Sequence, residues 1–322
     1  MNRYRSLSLV AFCVIRTVAA QTEYGLARNY AGDAAIASDS RVIFVEDFEE
    51  PDIGTLAGRW DDVQRQQYMR LDREVPPGSS GTQSLTAPGT ASGPGLYRRL
   101  LPGYDQVYLR YYAKFDDACS QVHHFNWVGG NNPATPYPSP RAGEKPAGDS
   151  HFSTGVEPRT DWQWDYYTTW PGMACWGQDT RTQCHGNVFL WETPKPAVPR
   201  GKWISVEVMV KMNSPVSESN GEQAFWIDGQ KWGHYGAGFP LVRLVADKWT
   251  PDPNGTPFPG FQWRSVDALN VNYLWLYAYT DMDPACRVWF DHVVVATDYI
   301  GPMKPLSGAV APAPPTNLQV AQ

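Results

Sequence analysis

The sequence predicts an all-β protein, an antiparallel β-sandwich, from its composition and from one long hairpin. Aromatic residues make up 13% of the 322 residues, charged residues only 19%, and there are 28 glycines and 28 prolines. Many turn formers and aromatics without an amphipathic helical repeat favour strands joined by turns. Residues 203–211 alternate in period two, with isoleucine and valines on one face. A polar turn, a second strand at 222–227 and a tight Asp228-Gly229 turn follow, which completes a hairpin typical of stacked sheets.

Ten further segments are predicted as strands because they alternate in period two or form short apolar runs between turn formers. They are residues 41–49, 83–86, 96–101, 106–115, 122–128, 151–156, 162–170, 187–191, 271–279 and 287–297. Residues 129–150 are rich in glycine, proline and asparagine and predict one long loop. A loop of that length is uncommon unless it serves a function.

The two ends of the chain differ in composition from the rest. In residues 1–20, two arginines precede a mostly apolar stretch that ends in small residues, as in a secretory signal peptide. Residues 21–40 predict a loosely held N-terminal arm, which leaves residues 41–304 for the sandwich. In residues 305–322, APAPPTNLQV resembles the start of a truncated fibronectin type III module after a linker. The protein is therefore expected to be secreted, either extracellular or periplasmic.

The cysteine count agrees with export. Cys13 would leave with the signal peptide, and an even set remains, Cys119, Cys175, Cys184 and Cys286. An even number in an exported chain predicts two disulfides. Cys175 and Cys184 flank a short loop that a bridge could close, and Cys119 would then pair with Cys286. Three pairings remain open at this level, and a zinc site is disfavoured because there is no CxxC pair.

The net charge limits the partners. It is −6 at pH 7, so the chain lacks the basic footprint of a nucleic-acid-binding protein. An acidic polysaccharide would need a local basic groove. No stretch beyond the signal approaches the ~20 apolar residues of a membrane span. Some of the 14 tryptophans are expected to stack on sugar rings, while most serve the core, and a monomer is expected.

Several segments carry a resemblance to a known family. In order they read VEDFEE, GTQSL, LYRRLLPGYDQVYLRYYAKF, HHFNWVGG, FSTGVEP, DYYTTWPGM, GKWISVEVMVKMN with GEQAFWIDGQKWG, and VWFDHVVVATDYIGP. Over residues 41–303 they resemble the polysaccharide-lyase branch of the concanavalin A-like jelly rolls, similar to alginate and glucuronan lyases. The resemblance implies a jelly roll that cleaves a uronate-containing polysaccharide by β-elimination. The same fold also carries lectin-like binding modules and structural or adhesive modules, and both alternatives stay open.

Such a lyase needs a base, an acid and a group that neutralises the uronate carboxylate. The resemblance implies catalytic roles for His123 or His124 and for Tyr166 or Tyr167. Each pair lies in a predicted strand, where neighbours point to opposite faces, so one member of each pair is expected in the groove. The alternative is that the histidines are structural and the tyrosines belong to a core stripe.

Substrate-binding candidates come from the same strands. Arg110, Tyr112 and Lys114 alternate along residues 106–115 and predict a basic groove face, unless they form an ordinary solvated face. Gln121 together with a histidine two residues later resembles the Gln-x-His motif of one alginate lyase family. Three further candidates for the groove are His151, Arg159 and Trp164.

Glu46 and Asp47 end the first predicted strand, and Asp291 lies in the last. First and last strands are often adjacent in jelly rolls, so these carboxylates predict a structural Ca²⁺ site, with surface carboxylates or a salt bridge as the alternative. No organic cofactor is expected. A glycosidase is disfavoured, because the E-x-D-x-x-E spacing of jelly-roll glucanases does not occur.

Overall fold

The computed structural model describes residues 25–88, 93–139, 141–176, 184–280, 283 and 285–306. Over these residues the chain forms seventeen strands and four short 3₁₀ helices. The strands are β1 Val42–Glu46, β2 Asp62–Gln64, β3 Arg70–Asp72, β4 Ser84–Pro88, β5 Gly95–Tyr104, β6 Gln106–Phe115, β7 His124–Asn131, β8 His151–Pro158, β9 Trp164–Thr169, β10 Trp203–Lys211, β11 Glu222–Ile227, β12 Gln230–Tyr235, β13 Leu241–Val245, β14 Lys248–Pro251, β15 Thr256–Pro257, β16 Val271–Tyr279 and β17 Arg287–Ala296. The 3₁₀ helices are Leu26–Asn29, Ile36–Ser38, Ile53–Gly58 and Gln66–Tyr68.

Two antiparallel sheets form the β-sandwich that the sequence predicts. The eight-stranded sheet has the order β12-β11-β10-β6-β17-β4-β3, and β1 also pairs with β17. The six-stranded sheet has the order β2-β5-β16-β7-β8-β9, and β13 to β15 form a small separate sheet. The pairing of β1 with β17 confirms that the first and last strands are neighbours.

The hairpin of β10 and β11 shows how the core is built. Ile204, Val206, Val208 and Val210 are fully buried and face the six-stranded sheet, as their alternation predicts. The turn after β11 is confirmed as well, because Asp228 and Gly229 have φ angles of 49° and 77°. Two successive positive φ angles belong to a type I′ turn, whose twist matches that of the strands.

The segment before β1 is not a loosely held arm where the structure describes it. Leu26, Ala27 and Ile36 are buried against the outer face of the eight-stranded sheet. The backbone N–H of Leu26 donates to Tyr299 O at 3.0 Å, and that of Ala27 to Ile300 O at 2.9 Å. The prediction for residues 25–40 is therefore wrong, because backbone hydrogen bonds and apolar burial hold them. Residues 1–24 and 307–322, with the predicted signal and module start, lie outside the described residues.

One predicted strand, residues 187–191, does not form. The backbone N–H groups of Phe189 and Leu190 donate to Asp165 Oδ1, each at 3.0 Å, instead of to a strand neighbour. A buried carboxylate from β9 thus takes the place of a sheet ladder. This long-range contact is invisible in the local pattern.

Both predicted disulfides are confirmed. Cys175 pairs with Cys184 and Cys119 with Cys286. The second pair is fully buried, whereas Cys175 is partly exposed. Two disulfides suit an oxidising compartment outside the cytoplasm. Within the described ranges, no helix has the length and apolarity needed to cross a membrane.

Candidate functional site

The outer face of the six-stranded sheet carries a row of aromatic side chains. Strand β16 alternates, so that Tyr273, Trp275, Tyr277 and Tyr279 point away from the core while the residues between them point into it. Trp127 of β7 packs on this row, with its ring 4.8 Å from that of Trp275. Aromatic faces on a sheet surface suit the apolar faces of sugar rings.

Two adjoining cavities on this face form one groove. The first has a volume of about 290 Å³ and contains the aromatic row, and the second has a volume of about 520 Å³. The residues that line both cavities are His123, Tyr167, His185 and Gly186. These four therefore mark the centre of the groove.

Both neighbouring histidines face the groove, so the expectation that only one would do so is wrong. The rings of His123 and His124 are stacked, with centroids 4.3 Å apart. Alternation applies only inside a regular strand, and His123 lies in a bend before β7. The pairing of β7 with β16 is also irregular there, between Leu276 and Tyr279. Two imidazoles thus stand side by side in the groove.

Glu157 of β8 contacts one of these histidines. Its Oε2 lies 3.1 Å from His124 Nδ1, and its Oε1 lies 3.4 Å from Arg159 NH1. The carboxylate is almost fully buried, with 3% of the side chain exposed. The cost of burying this carboxylate is offset, because one oxygen contacts an imidazole and the other a guanidinium.

Of the two tyrosines of β9, only one reaches the groove. Tyr167 is half-buried, and its ring lies 5.3 Å from that of His124. Burial raises the pKa of Tyr167, so the phenol keeps its proton at neutral pH. Tyr166 is fully buried in the core, where its hydroxyl donates to Gly233 O at 3.1 Å. The prediction of a catalytic role for Tyr166 is therefore wrong.

The groove candidates Gln121, His151 and Arg159 do line it. Burial lowers the pKa of His151, which therefore stays neutral at pH 7. Trp164 does not line the groove, because it is fully buried between the sheets and packs on Phe125. Its predicted contact with substrate is wrong.

The predicted basic face at Arg110, Tyr112 and Lys114 is also wrong, because β6 belongs to the eight-stranded sheet and these side chains face away from the groove. Arg110 is fully buried and its NH2 group binds Asp33 Oδ2 at 2.6 Å. The hydroxyl of Tyr112 accepts from the backbone N–H of Met303. Lys114 pairs with a glutamate of the same outer surface.

Several groove residues were missed by sequence reasoning. They are Arg141, Glu157, His185, Lys248 and Tyr279. Two signals were available: Arg141 lies in the long loop that predicted a function, and His185 follows a cysteine of the predicted short bridge. The backbone N–H of Gly143 donates to Cys184 O at 3.0 Å, so this loop and the disulfide segment meet beside the groove.

The carboxylates predicted to hold calcium fit such a site poorly. In the described part of the chain, no three His, Cys, Asp or Glu side chains are grouped so that they could hold a metal ion. Glu46 is buried and accepts from Phe48 N and from the Trp60 indole, each at 2.9 Å. The oxygens of Glu46 therefore already accept hydrogen bonds from the protein. Asp291 is buried with no hydrogen-bond partner for Oδ2 among the described residues, so calcium near Asp47 and Asp291 stays a prediction.

No family model matches this sequence, and no curated protein matches it. Among solved structures, the chain is similar to alginate lyase vAL-1 from Chlorella virus, with a TM-score of 0.50 and 12% identity over 80% of this chain and 99% of that one. A mutant of alginate lyase Aly36B in complex with an alginate trisaccharide gives 0.46 and 10%, over 79% and 97%. Cellulose induced protein Cip1 gives 0.43 and 16%, over 72% and 87%. At these identities, the likeness to vAL-1 shows the jelly-roll fold.

Proposed function

We propose that this protein is a secreted polysaccharide lyase that cleaves a uronate-containing polysaccharide by β-elimination. The observation that carries the proposal is the meeting of imidazole, phenol and guanidinium in one groove: His124, Tyr167 and Arg159 lie around its centre. These are the three kinds of group that the reaction needs. One structural neighbour, vAL-1, is an alginate lyase, which supports this proposal.

The reaction distributes its protons and electrons as follows. A cation neutralises the uronate carboxylate, which acidifies the hydrogen on the adjacent carbon, C5. A base takes that proton, the electron pair forms the C4–C5 double bond, and the bond from C4 to the glycosidic oxygen breaks. An acid donates a proton to the leaving oxygen. The products are a new chain end and an unsaturated uronate.

The groove supplies a group for each step. His124 is the base in this proposal, because its Nδ1 is engaged by Glu157 and its Nε2 is the nitrogen left to take a proton. Tyr167 is the acid in this proposal, because a tyrosine with its ordinary pKa of about 10 already carries its proton at neutral pH and its ring lies 5.3 Å from that of His124. Arg159, which lines the second cavity together with Gln121, binds the carboxylate.

The aromatic row favours one alternative, a carbohydrate-binding module without catalysis. Tyr277 and Tyr279, the partly exposed members of the row, offer ring faces to a sugar whether or not a bond is cleaved. Binding alone requires no acid or base. The two functions differ in whether His124 and Tyr167 are needed.

Incubation with alginate, glucuronan, pectate and glycosaminoglycans, followed at ~235 nm, detects the unsaturated product of β-elimination. We expect a signal with at least one polymer and its loss in His124→Ala and Tyr167→Phe. His234→Asn, on the eight-stranded sheet, is the matched control and should keep full activity. Calorimetric binding of a polymer without any absorbance change would favour the binding module. Neither binding nor a signal would reject both.

A further inference from the structure

One acidic side chain in the groove wall is not used by the proposed reaction. Glu157 lies on β8, and its carboxylate is 3% exposed. His124 and Arg159 contact its two oxygens, and their side chains are far more exposed, at 23% and 35%. Burying a carboxylate costs several kcal/mol unless it is paired. A buried acid whose two oxygens contact two groove residues therefore needs an explanation.

We propose that Glu157 is a positioning residue that sets the tautomer of His124 and holds Arg159 at the carboxylate-binding position. This inference rests on the proposed lyase function and extends it to a residue that acts through His124 and Arg159. Glu157 divides its contacts between its two oxygens, with Oε2 at 3.1 Å from His124 Nδ1 and Oε1 at 3.4 Å from Arg159 NH1.

The tautomer follows from hydrogen-bond chemistry. An ionised carboxylate only accepts hydrogen bonds, and a neutral imidazole carries a single N–H. Opposite Glu157, that N–H belongs on His124 Nδ1, which leaves the lone pair on Nε2. When Nε2 takes a proton from the substrate, the imidazolium gains an attractive partner in a buried site. Glu157 thus stabilises both the neutral Nδ1–H tautomer of His124, which accepts the proton, and the imidazolium that results.

The same carboxylate ties the base to the cation that binds the substrate carboxylate. Arg159 would otherwise be a long, partly exposed side chain with many rotamers, 35% exposed at its side chain. Its contact with Glu157 restricts the guanidinium to the edge of the groove next to His124. A uronate bound at Arg159 then presents its C5 hydrogen near the base, which is the positioning that acid–base catalysis requires.

The test measures tautomer and turnover separately. Imidazole ¹⁵N chemical shifts in histidine-labelled protein, at about pH 8, report which ring nitrogen of His124 carries the proton, and the spectrum of His124→Asn assigns the signals. We expect the Nδ1–H form in the wild type and a mixture of tautomers in Glu157→Ala. Glu157→Gln keeps the size of the side chain, so it separates loss of charge from loss of packing.

Kinetics on the polymer that the wild type cleaves provides the second readout. We expect both variants to lower kcat by about 100-fold, part of what general base catalysis contributes. We expect Glu157→Ala also to raise KM because Arg159 loses its anchor. The matched control is Glu222→Gln, which alters another His–Glu pair, His234 Nε2 and Glu222 Oε2 at 2.7 Å on the eight-stranded sheet. It should leave kcat and KM unchanged.

The outcomes separate this inference from the proposed function. An Nε2–H form of His124 in the wild type, or a tautomer unchanged in Glu157→Ala, overturns the inference even if the wild type is an active lyase. A kcat within about threefold of wild type in both variants overturns it as well. An inactive wild type rejects the proposed function instead, and the tautomer measurement still decides whether Glu157 orients His124.

Discussion

Replacing Gly186 by alanine tests whether the position of Tyr167 matters for turnover. A Cβ atom added at Gly186 would lie 2.5 Å from Cε1 and 2.7 Å from Cγ of the Tyr167 ring. Carbon atoms in ordinary contact are about 3.5–4.0 Å apart. The ring therefore has to retreat by about 1 Å or tilt away. Because Gly186 and Tyr167 both line the centre of the groove, this movement shifts the proposed acid relative to His124.

The expected effect of Gly186→Ala is a loss of kcat of about 100-fold, since a 1 Å misplacement of a reacting group costs about that factor. The assay is the absorbance increase at ~235 nm on the polymer that the wild type cleaves. A thermal unfolding midpoint within about 4 °C of wild type would show that the fold survives.

Gly58→Ala is the matched control for this substitution. A Cβ atom at Gly58 meets nothing within 4 Å, and Gly58 ends a short 3₁₀ helix that does not line the groove. It should leave kcat unchanged. If Gly186→Ala folds and keeps kcat within twofold of wild type, then either Tyr167 is not the acid or the groove tolerates its displacement, and the argument from geometry fails.

Three further predictions concern the core, a turn and the groove wall. Tyr166→Phe should leave activity within twofold of wild type and lower the free energy of unfolding by about 1–2 kcal/mol, measured in urea, because Gly233 O loses a buried donor. Burial raises the pKa of Asp228 to about 6, so its ionisation weakens the fold as pH rises from about 4 to above 6. Asp228→Asn keeps the acceptor for Ser205 N and suits the positive φ. We therefore expect the variant to be more stable than wild type by about 1–3 kcal/mol at pH 8 and by almost nothing near pH 4. Equal stability differences at both pH values would contradict the burial argument. Replacing Cys175 and Cys184 by serine should raise KM several-fold, because the bridge flanks the groove residue His185. Loss of the cross-link should also lower the unfolding free energy by about 2 kcal/mol. An unchanged KM would show that this wall of the groove does not contact the polymer.

Most strands could be predicted from the sequence because their signal is local. Residues 106–115, 203–211 and 222–227 alternate or carry β-branched and aromatic residues between turns, and they form β6, β10 and β11 with the predicted bounds. Residues 187–191 have the same composition and do not form a strand. Their backbone donors are satisfied by Asp165, a contact that depends on how β9 is placed.

The candidate site was predicted only in part. Strand alternation indicates which side chains share a face, but it does not tell which sheet a strand joins or which face is covered. Alternation therefore predicts Arg110, Tyr112 and Lys114 of β6 as groove residues, but β6 belongs to the other sheet. Tyr166 and Tyr167 were correctly placed on opposite faces of β9, and only the fold shows that Tyr167 is the one in the groove.

By itself, the sequence determined an all-β sandwich with two disulfides, because hydrophobic period, turn chemistry and cysteine spacing act over short distances. Only the tertiary structure decided which groups meet in the groove. Glu157 contacts His124, and His185 reaches the groove, although these residues are distant in sequence. His123 faces the groove beside His124 because the strand pairing is irregular there. Such contacts depend on sheet order and register, which arise from burial of the whole core and not from any one segment.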